Sequence, residues 1–190
     1  MVTDPLPRSP SAREVYLRSD RLQALDLPPA GPLRALARDL EAAMACGQRA
    51  AVEEACNSLA ALVARHHGVA PPPVKILGVR PHRTANGVCV YEKFGDYDLG
   101  TGRIRLWMRT AMRRQVTSYG TLLSTLAHEI CHHLDVVALG FGDTPHTRGF
   151  YDRAALLYHQ ARGTPLRRLV WVAQRDGTFR LDWSRTMRGG

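Results

Sequence analysis

Apolar residues recur every three or four positions in two consecutive stretches near the start of the chain, residues 33–44 and 52–63. This period is typical of amphipathic helices, so the pattern predicts two helices. Upstream, residues 1–32 contain six prolines, and each proline lacks the amide donor that a helix or a sheet requires. We therefore expect residues 1–32 to form a flexible arm with one short helix near 12–24.

The pattern then changes to one typical of strands. Residues 74–80, 87–94 and 102–109 are rich in β-branched and aromatic side chains. Strict alternation in 102–109 places apolar side chains on one face and three arginines on the other. Residues 95–102 read GDYDLGTG and are rich in turn formers. The pattern predicts an antiparallel sheet of about three strands, with 102–109 at an edge to which an extended peptide could add.

A long, proline-free apolar segment lies between Gly120 and Gly140, and it is hydrophobic over most of a helical circumference. We expect a central, buried helix that starts after Gly120 and ends at Gly140. The next segment predicts a second helix, with Thr144 as its N-cap and Pro145 as its first residue. Near the end of the chain, two short apolar runs flank an Asp-Gly turn, which predicts a β-hairpin at about 168–184.

Together these elements predict an α+β fold, in which the small antiparallel sheet packs on helices. A chain of 190 residues with 45% hydrophobic residues can bury one ordinary core, so residues 33–190 are expected to form a single domain. The four cysteines form no CxxC pair. The first residues contain no apolar core of the length found in signal peptides, and the sequence contains no run of about 18 apolar residues. These features predict reduced thiols and a cytoplasmic protein without membrane contact.

Charge is distributed unevenly along the chain. Residues 1–99 hold 12 basic and 11 acidic side chains, whereas residues 100–190 hold 14 and 6, so the two halves carry +1 and +8. A basic half can attract the phosphate backbone of DNA or an acidic protein. An arginine-rich coding bias would produce the same count, so both interpretations stay open. The sequence does not indicate an oligomeric state.

The predicted central helix contains the sequence LAHEICHHLD, residues 126–135. His128 and His132 are one helical turn apart, so their imidazoles can converge on one ion. Glu129 lies about 100° further round the helix, beside the ligand face, where a carboxylate can take a proton from water without binding the metal. The HExxH sequence therefore predicts a zinc site, with Glu129 as general base. The neighbouring Cys131 and His133 point away from this face.

A catalytic zinc ion needs a third protein ligand and an open position for water. The chain has no glutamate after Glu129, and Ala138 stands where the longer HExxHxxGxxH pattern would place a histidine. We favour His146, because it opens the predicted next helix on the apolar face that packs against the core. The candidates that the sequence leaves for this ligand are His146, His159, Asp135, Asp143 and Asp152.

HEICH, followed after a short loop by His146 and Phe150 as His-x-x-x-Phe, resembles the SprT-like zinc metalloproteases. This family includes the spartan-type enzymes that degrade proteins crosslinked to DNA. The upstream IRLWMRT strand is also similar, and the resemblance covers roughly residues 74–160. It implies a zincin-like fold in which the two HExxH histidines and His146 bind Zn²⁺ and Glu129 is the general base. Thr147 replaces the usual glycine, and the C-terminal cysteine pairs of a zinc ribbon are missing.

The function predicted from these residues is zinc-dependent hydrolysis of peptide bonds in a protein or peptide substrate, including proteins associated with DNA. The alternative is a nucleic-acid-binding or partner-binding protein that keeps a zincin scaffold with a structural or vestigial metal. Intact Glu129 favours the enzyme. Several side chains are candidates to stabilise the oxyanion: Tyr119, Tyr151, Tyr158, His133 and Arg148.

Overall fold

The computed structural model describes residues 1–188, which form an α+β fold of six helices and seven strands. The helices are α1 (Pro10–Arg21), α2 (Ala30–Cys46), α3 (Arg49–His66), α4 (Tyr119–Val137), α5 (Arg148–Arg162) and α6 (Trp183–Arg188). The strands are β1 (Val74–Val79), β2 (His82–Ala85), β3 (Val88–Glu92), β4 (Gly95–Asp98), β5 (Arg103–Arg109), β6 (Trp171–Ala173) and β7 (Phe179–Leu181). Among these residues, no helix has the length and apolar character needed to cross a membrane.

The two helices predicted from the first apolar stretches are confirmed as α2 and α3. Their apolar faces are buried in the core that also receives β1 and α4. The side chain of Asn57 on α3 bonds both the amide and the carbonyl of Val74, each at 2.9 Å. The Glu53 carboxylate accepts from the amide of Ile76. Helix α3 thus satisfies the backbone of β1 at a sheet edge that would otherwise be open.

The main sheet differs from the predicted antiparallel one. Its strand order is β1-β5-β4, with β1 parallel to β5 and β4 antiparallel to β5. The strand predicted at the edge, 102–109, is therefore central, and the turn-rich stretch supplies the edge strand β4. The basic face of β5 is partly engaged, because Arg105 forms a bidentate pair with Asp96 at 2.7 and 2.9 Å. Cross-strand ion pairing and close packing on α4 support β4 as a strand despite its turn-forming residues.

The segment predicted as the middle strand pairs elsewhere. Residues of β3 form a separate two-stranded hairpin with β2, and none of its side chains is buried. Asn86 and Gly87, with φ of 50° and 74°, make the tight turn, a sequence that favours two-residue hairpins. The Asn-Gly turn favours local pairing with β2, and the apolar side chains of Val88, Val90 and Tyr91 consequently stay exposed, outside the core sheet.

The last two long helices begin at different residues from those predicted. Ser118 caps α4 by accepting from the amide of Thr121, so the helix includes Gly120, and it ends at Val137 before the predicted Gly140. Helix α5 starts at Arg148, and Thr147 is its N-cap. Thr144 is not the cap, because its hydroxyl is bound to side chains of α4. His146 consequently lies in the loop before the helix.

Both ends of the described chain pack against the domain. The short helix expected near 12–24 is α1, and its Tyr16 is buried. Within the segment that we expected to be flexible, Thr3 is buried and Val2 pairs with Arg180 beside the hairpin of β6 and β7. That antiparallel hairpin is the one predicted at 168–184. The N-terminal residues therefore lie against the C-terminal hairpin, close to α5.

Candidate metal centre

Three histidine side chains meet where α4 packs against the start of α5. His128 and His132 project from one face of α4, and His146 approaches from the loop before α5. Each of the three Nε2···Nε2 distances is 3.1 Å. Within the described part of the chain, these three residues form the group close enough to share one ion. The structure therefore brings together the two HExxH histidines and the predicted third ligand.

Three ring nitrogens this close cannot satisfy one another by hydrogen bonds. Each Nε2 offers either one proton or one lone pair, so at least one of the three pairs must be two donors or two acceptors. Tetrahedral zinc with Zn–N bonds of about 2.0–2.1 Å requires nitrogen separations of roughly 3.3 Å, near the 3.1 Å found here. The donor set fits a metal ion such as zinc, which accepts nitrogen ligands in this arrangement.

The hydrogen bonds behind His132 set its tautomer. Thr144 donates its hydroxyl proton to Asp135, so this hydroxyl accepts from Nδ1 of His132, 2.7 Å away. With the proton on Nδ1, the lone pair of Nε2 points at the site. Burial also lowers the pKa of His132 to about 2 and that of His128 to about 3, so both rings are neutral at pH 7.

Asp135, which the sequence left as an alternative ligand, does not join the three histidines. Its carboxylate is fully buried and pairs with Arg153, at 2.9 and 3.0 Å. Burial raises the pKa of Asp135 to about 6, although Arg153 opposes that shift. Asp135 therefore acts on the site through Thr144, as an acceptor behind His132.

A single aromatic ring, that of Phe150, packs against all three histidine rings. Phe150 is fully buried, and its ring centroid lies 4.8, 4.4 and 5.2 Å from those of His128, His132 and His146. Because the ring is rigid and close-packed, it limits the rotation of each imidazole that it contacts. This contact gives a physical reason for the His-x-x-x-Phe spacing noted in the sequence.

Glu129 lies beside the histidines in the same open cleft, which has a volume of about 370 Å³. Only 5% of its surface is exposed. Burial raises the pKa of Glu129 to about 8; the Asp96 carboxylate adds to this shift and Lys93 opposes it. Its Oε1 would lie 2.9 Å from a Cβ at Gly95, so the backbone of β4 closely approaches this carboxylate. The arrangement places a buried carboxyl group with a raised pKa next to the three nitrogens.

Strand β4 forms one wall of the cleft, and sequence reasoning missed its contribution. Gly95, Asp96 and Tyr97 line the cleft together with the histidines. The Tyr97 hydroxyl donates to Nδ1 of His133 at 3.2 Å, because Nε2 of His133 donates to the carbonyl of Ala70. His133 therefore belongs to the frame around the site. The turn-like composition of residues 95–102 contained no signal for this role.

The remaining candidate ligands lie apart from the three nitrogens or contribute only to the cleft. Asp143 lines the cleft, whereas His159 bonds Thr164 at the far end of α5. Asp152 lies further along α5, among the charges of Asp20 and Arg148. Cys131 is buried in the core, as expected for a packing residue.

Of the candidates for oxyanion stabilisation, Tyr151 contacts the histidines directly. Its ring stacks on His146 with centroids 5.8 Å apart, but its hydroxyl donates to the carbonyl of Val2. Arg148 is paired with Asp20. The two other tyrosine candidates, Tyr119 and Tyr158, lie near Arg162, away from the three histidines.

Comparisons with family models, with curated proteins and with solved structures found no match for this chain. The functional interpretation consequently depends on the geometry of the cleft. Its principal features are three converging imidazole nitrogens, one buried carboxylate beside them and an adjacent strand edge.

Proposed function

We propose that this chain is a zinc-dependent metallopeptidase with a zincin-like domain, of the SprT-like kind that its HExxH and His-x-x-x-Phe spacing resembles. The observation that carries the proposal is the set of three Nε2 atoms, each 3.1 Å from the others, beside buried Glu129 in an open cleft. Three protein ligands and one free position are typical of catalytic zinc, whereas structural sites use four.

The residues of the cleft divide the chemistry among them. His128, His132 and His146 would hold the ion, which when bound supplies Lewis-acid polarisation of a peptide carbonyl and of water. Glu129 would take the proton of the attacking water and deliver it to the nitrogen of the leaving amine. Its place in the cleft beside the three histidines suits both transfers, because one positioned carboxylate can accept the proton and then release it to the leaving nitrogen.

The position of β4 supports a protein or peptide substrate. It is the edge strand of the main sheet, and it lines the cleft beside Glu129 and the histidines. An extended peptide can pair with such an edge through its backbone, which would place a peptide bond next to the three nitrogens. This edge replaces the one that we expected at residues 102–109.

Cleavage of an unfolded protein by the purified full chain tests this proposal. We expect zinc-dependent proteolysis that a chelator abolishes and added Zn²⁺ restores. The Glu129→Gln variant should retain its zinc but show no proteolysis. Parallel reactions with and without single-stranded DNA test the DNA-associated substrate, since such an enzyme should cleave faster with DNA. Salt-dependent DNA binding without any cleavage would favour the alternative of a binding protein.

A further inference from the structure

The N-terminal segment reaches the third histidine of the metal centre. Oδ2 of Asp4 accepts from the backbone amide of His146 at 2.8 Å and lies 3.4 Å from its Nδ1. The amide of Asp4 in turn donates to the carbonyl of His146 at 2.8 Å. One residue therefore contacts the amide, the carbonyl and the ring of a residue 142 positions away.

Neighbouring contacts hold this segment in place on both sides. The amide of Thr3 donates to the carbonyl of Phe179, and the Phe179 amide donates to the Thr3 hydroxyl, each at 2.9 Å. The hydroxyl of Tyr16 donates to the carbonyl of Asp4. Residues 1–4 thus lie as an additional extended segment along β7, and this pairing sets the position of the Asp4 carboxylate.

The three histidines differ in how the fold restrains them. His128 and His132 are fixed by the regular backbone of α4, and Thr144 orients His132. His146 precedes the N-cap of α5 and a third of its side chain is exposed, so no helix fixes its backbone. Its restraint comes from the ring contacts with Phe150 and Tyr151 and from Asp4.

We propose that Asp4 is the positioning residue for His146. Residues 1–4, which hold Asp4 in place, thereby contribute to metal binding at this centre. The negative charge of the Asp4 carboxylate, 3.4 Å from Nδ1 of His146, favours the tautomer with its proton on Nδ1, because a carboxylate can accept a hydrogen bond but cannot donate one. That tautomer leaves the Nε2 lone pair to face the other histidines. This inference rests on the proposed metal site and extends it to a segment far away in the sequence.

Metal binding by full-length variants tests the role of Asp4. We would compare the wild type with Asp4→Asn and Asp4→Ala, using Asp26→Asn as a matched control, since Asp26 pairs with His66 at 3.0 Å. Zn²⁺ affinity would be measured by competition with a chromophoric chelator, and the ligand geometry by the visible absorption of Co²⁺. Thermal unfolding of each metal-free variant would monitor the fold.

We expect Asp4→Ala to bind Zn²⁺ about 10- to 100-fold more weakly than the wild type, the usual effect of losing such a partner. Its Co²⁺ spectrum should change, while Asp26→Asn matches the wild type in both measurements. If Asp4→Ala folds poorly, the isosteric Asp4→Asn decides, by weaker affinity at an unchanged melting temperature. Wild-type affinity and spectrum in both Asp4 variants would overturn this inference alone; absence of metal binding by the wild type would overturn the proposed function as well.

Discussion

The guanidinium of Arg153 lies 2.9 and 3.0 Å from the two carboxylate oxygens of Asp135, and both side chains are fully buried. Arg153 also donates to the carbonyls of Ser19 and Leu22, at the end of α1. Asp135 accepts from Thr144, which contacts a histidine of the metal centre. A single buried ion pair thus joins the N-terminal helix to the outer hydrogen bonds of the site.

Arg153→Met should strongly destabilise the fold, because it leaves the buried Asp135 carboxylate without its cation. Breaking a buried pair in this way typically costs about 3–5 kcal/mol. Urea unfolding of the metal-free protein measures this loss. Arg175→Met, at an exposed position, should change stability by less than about 0.5 kcal/mol. Equal stability of the two variants would contradict the structural role of the pair.

Zinc content should depend on three histidines and not on the other candidates. His128→Ala, His132→Ala and His146→Ala should each lose most bound zinc, because each removes one of the three proposed ligands. Glu129→Gln should retain the zinc and lose peptide hydrolysis. Metal analysis after dialysis checks this, with His159→Ala as a control that keeps both. Full zinc occupancy in His146→Ala would exclude His146 as the third ligand.

Gly95→Ala should damage both the fold and the site. A Cβ at this position would lie 2.6 Å from Cγ2 of Thr125 and 2.9 Å from both Oε1 of Glu129 and Cδ2 of Leu106. Overpacking of this kind usually costs about 1–3 kcal/mol, and the displaced Glu129 should slow hydrolysis. Thermal unfolding and turnover would be measured beside Gly78→Ala, a strand position with open space. Similar losses in both variants would argue against the close approach.

The stability of the protein should depend on Asp152 between about pH 4 and pH 6. Burial raises the pKa of Asp152 from 3.8 to about 6, with the Asp20 carboxylate adding to the shift. The folded state then binds more protons than the unfolded state in this window, so this group's contribution to stability falls as pH rises through it.

Asp152→Asn should remove that dependence and stabilise the protein at pH 7. Because the side chain is partly exposed, we expect a gain of up to about 1 kcal/mol, below the full linkage value. Urea unfolding at pH 4 and pH 7 gives the difference, which should be larger at pH 7. A loss of stability at pH 7 would show that the carboxylate is favourably paired.

Local spacing was enough to predict that two histidines of one helix face the same site, with a carboxyl group beside them. His128 and His132 face one way because they are one helical turn apart, and Glu129 follows from the same geometry. The apolar periods of α2 and α3 were equally readable, since a helix burying one face needs that repeat. The third histidine was selected because the pattern placed it on the apolar face of the next helix, whereas the structure puts it in the loop before that helix.

Only the tertiary structure decided which distant residues surround those histidines. Asp4 meets His146 across 142 positions, and β4 reaches the cleft because β5 pairs with it and with β1. Sequence periodicity describes which face of an element is apolar, but strand order and the docking of a terminal segment depend on long-range hydrogen bonds and ion pairs, such as that of Asp96 with Arg105. Composition predicted turns at β4 and flexibility at residues 1–32. Both predictions were wrong in part, because local propensity is weak and tertiary contacts override it.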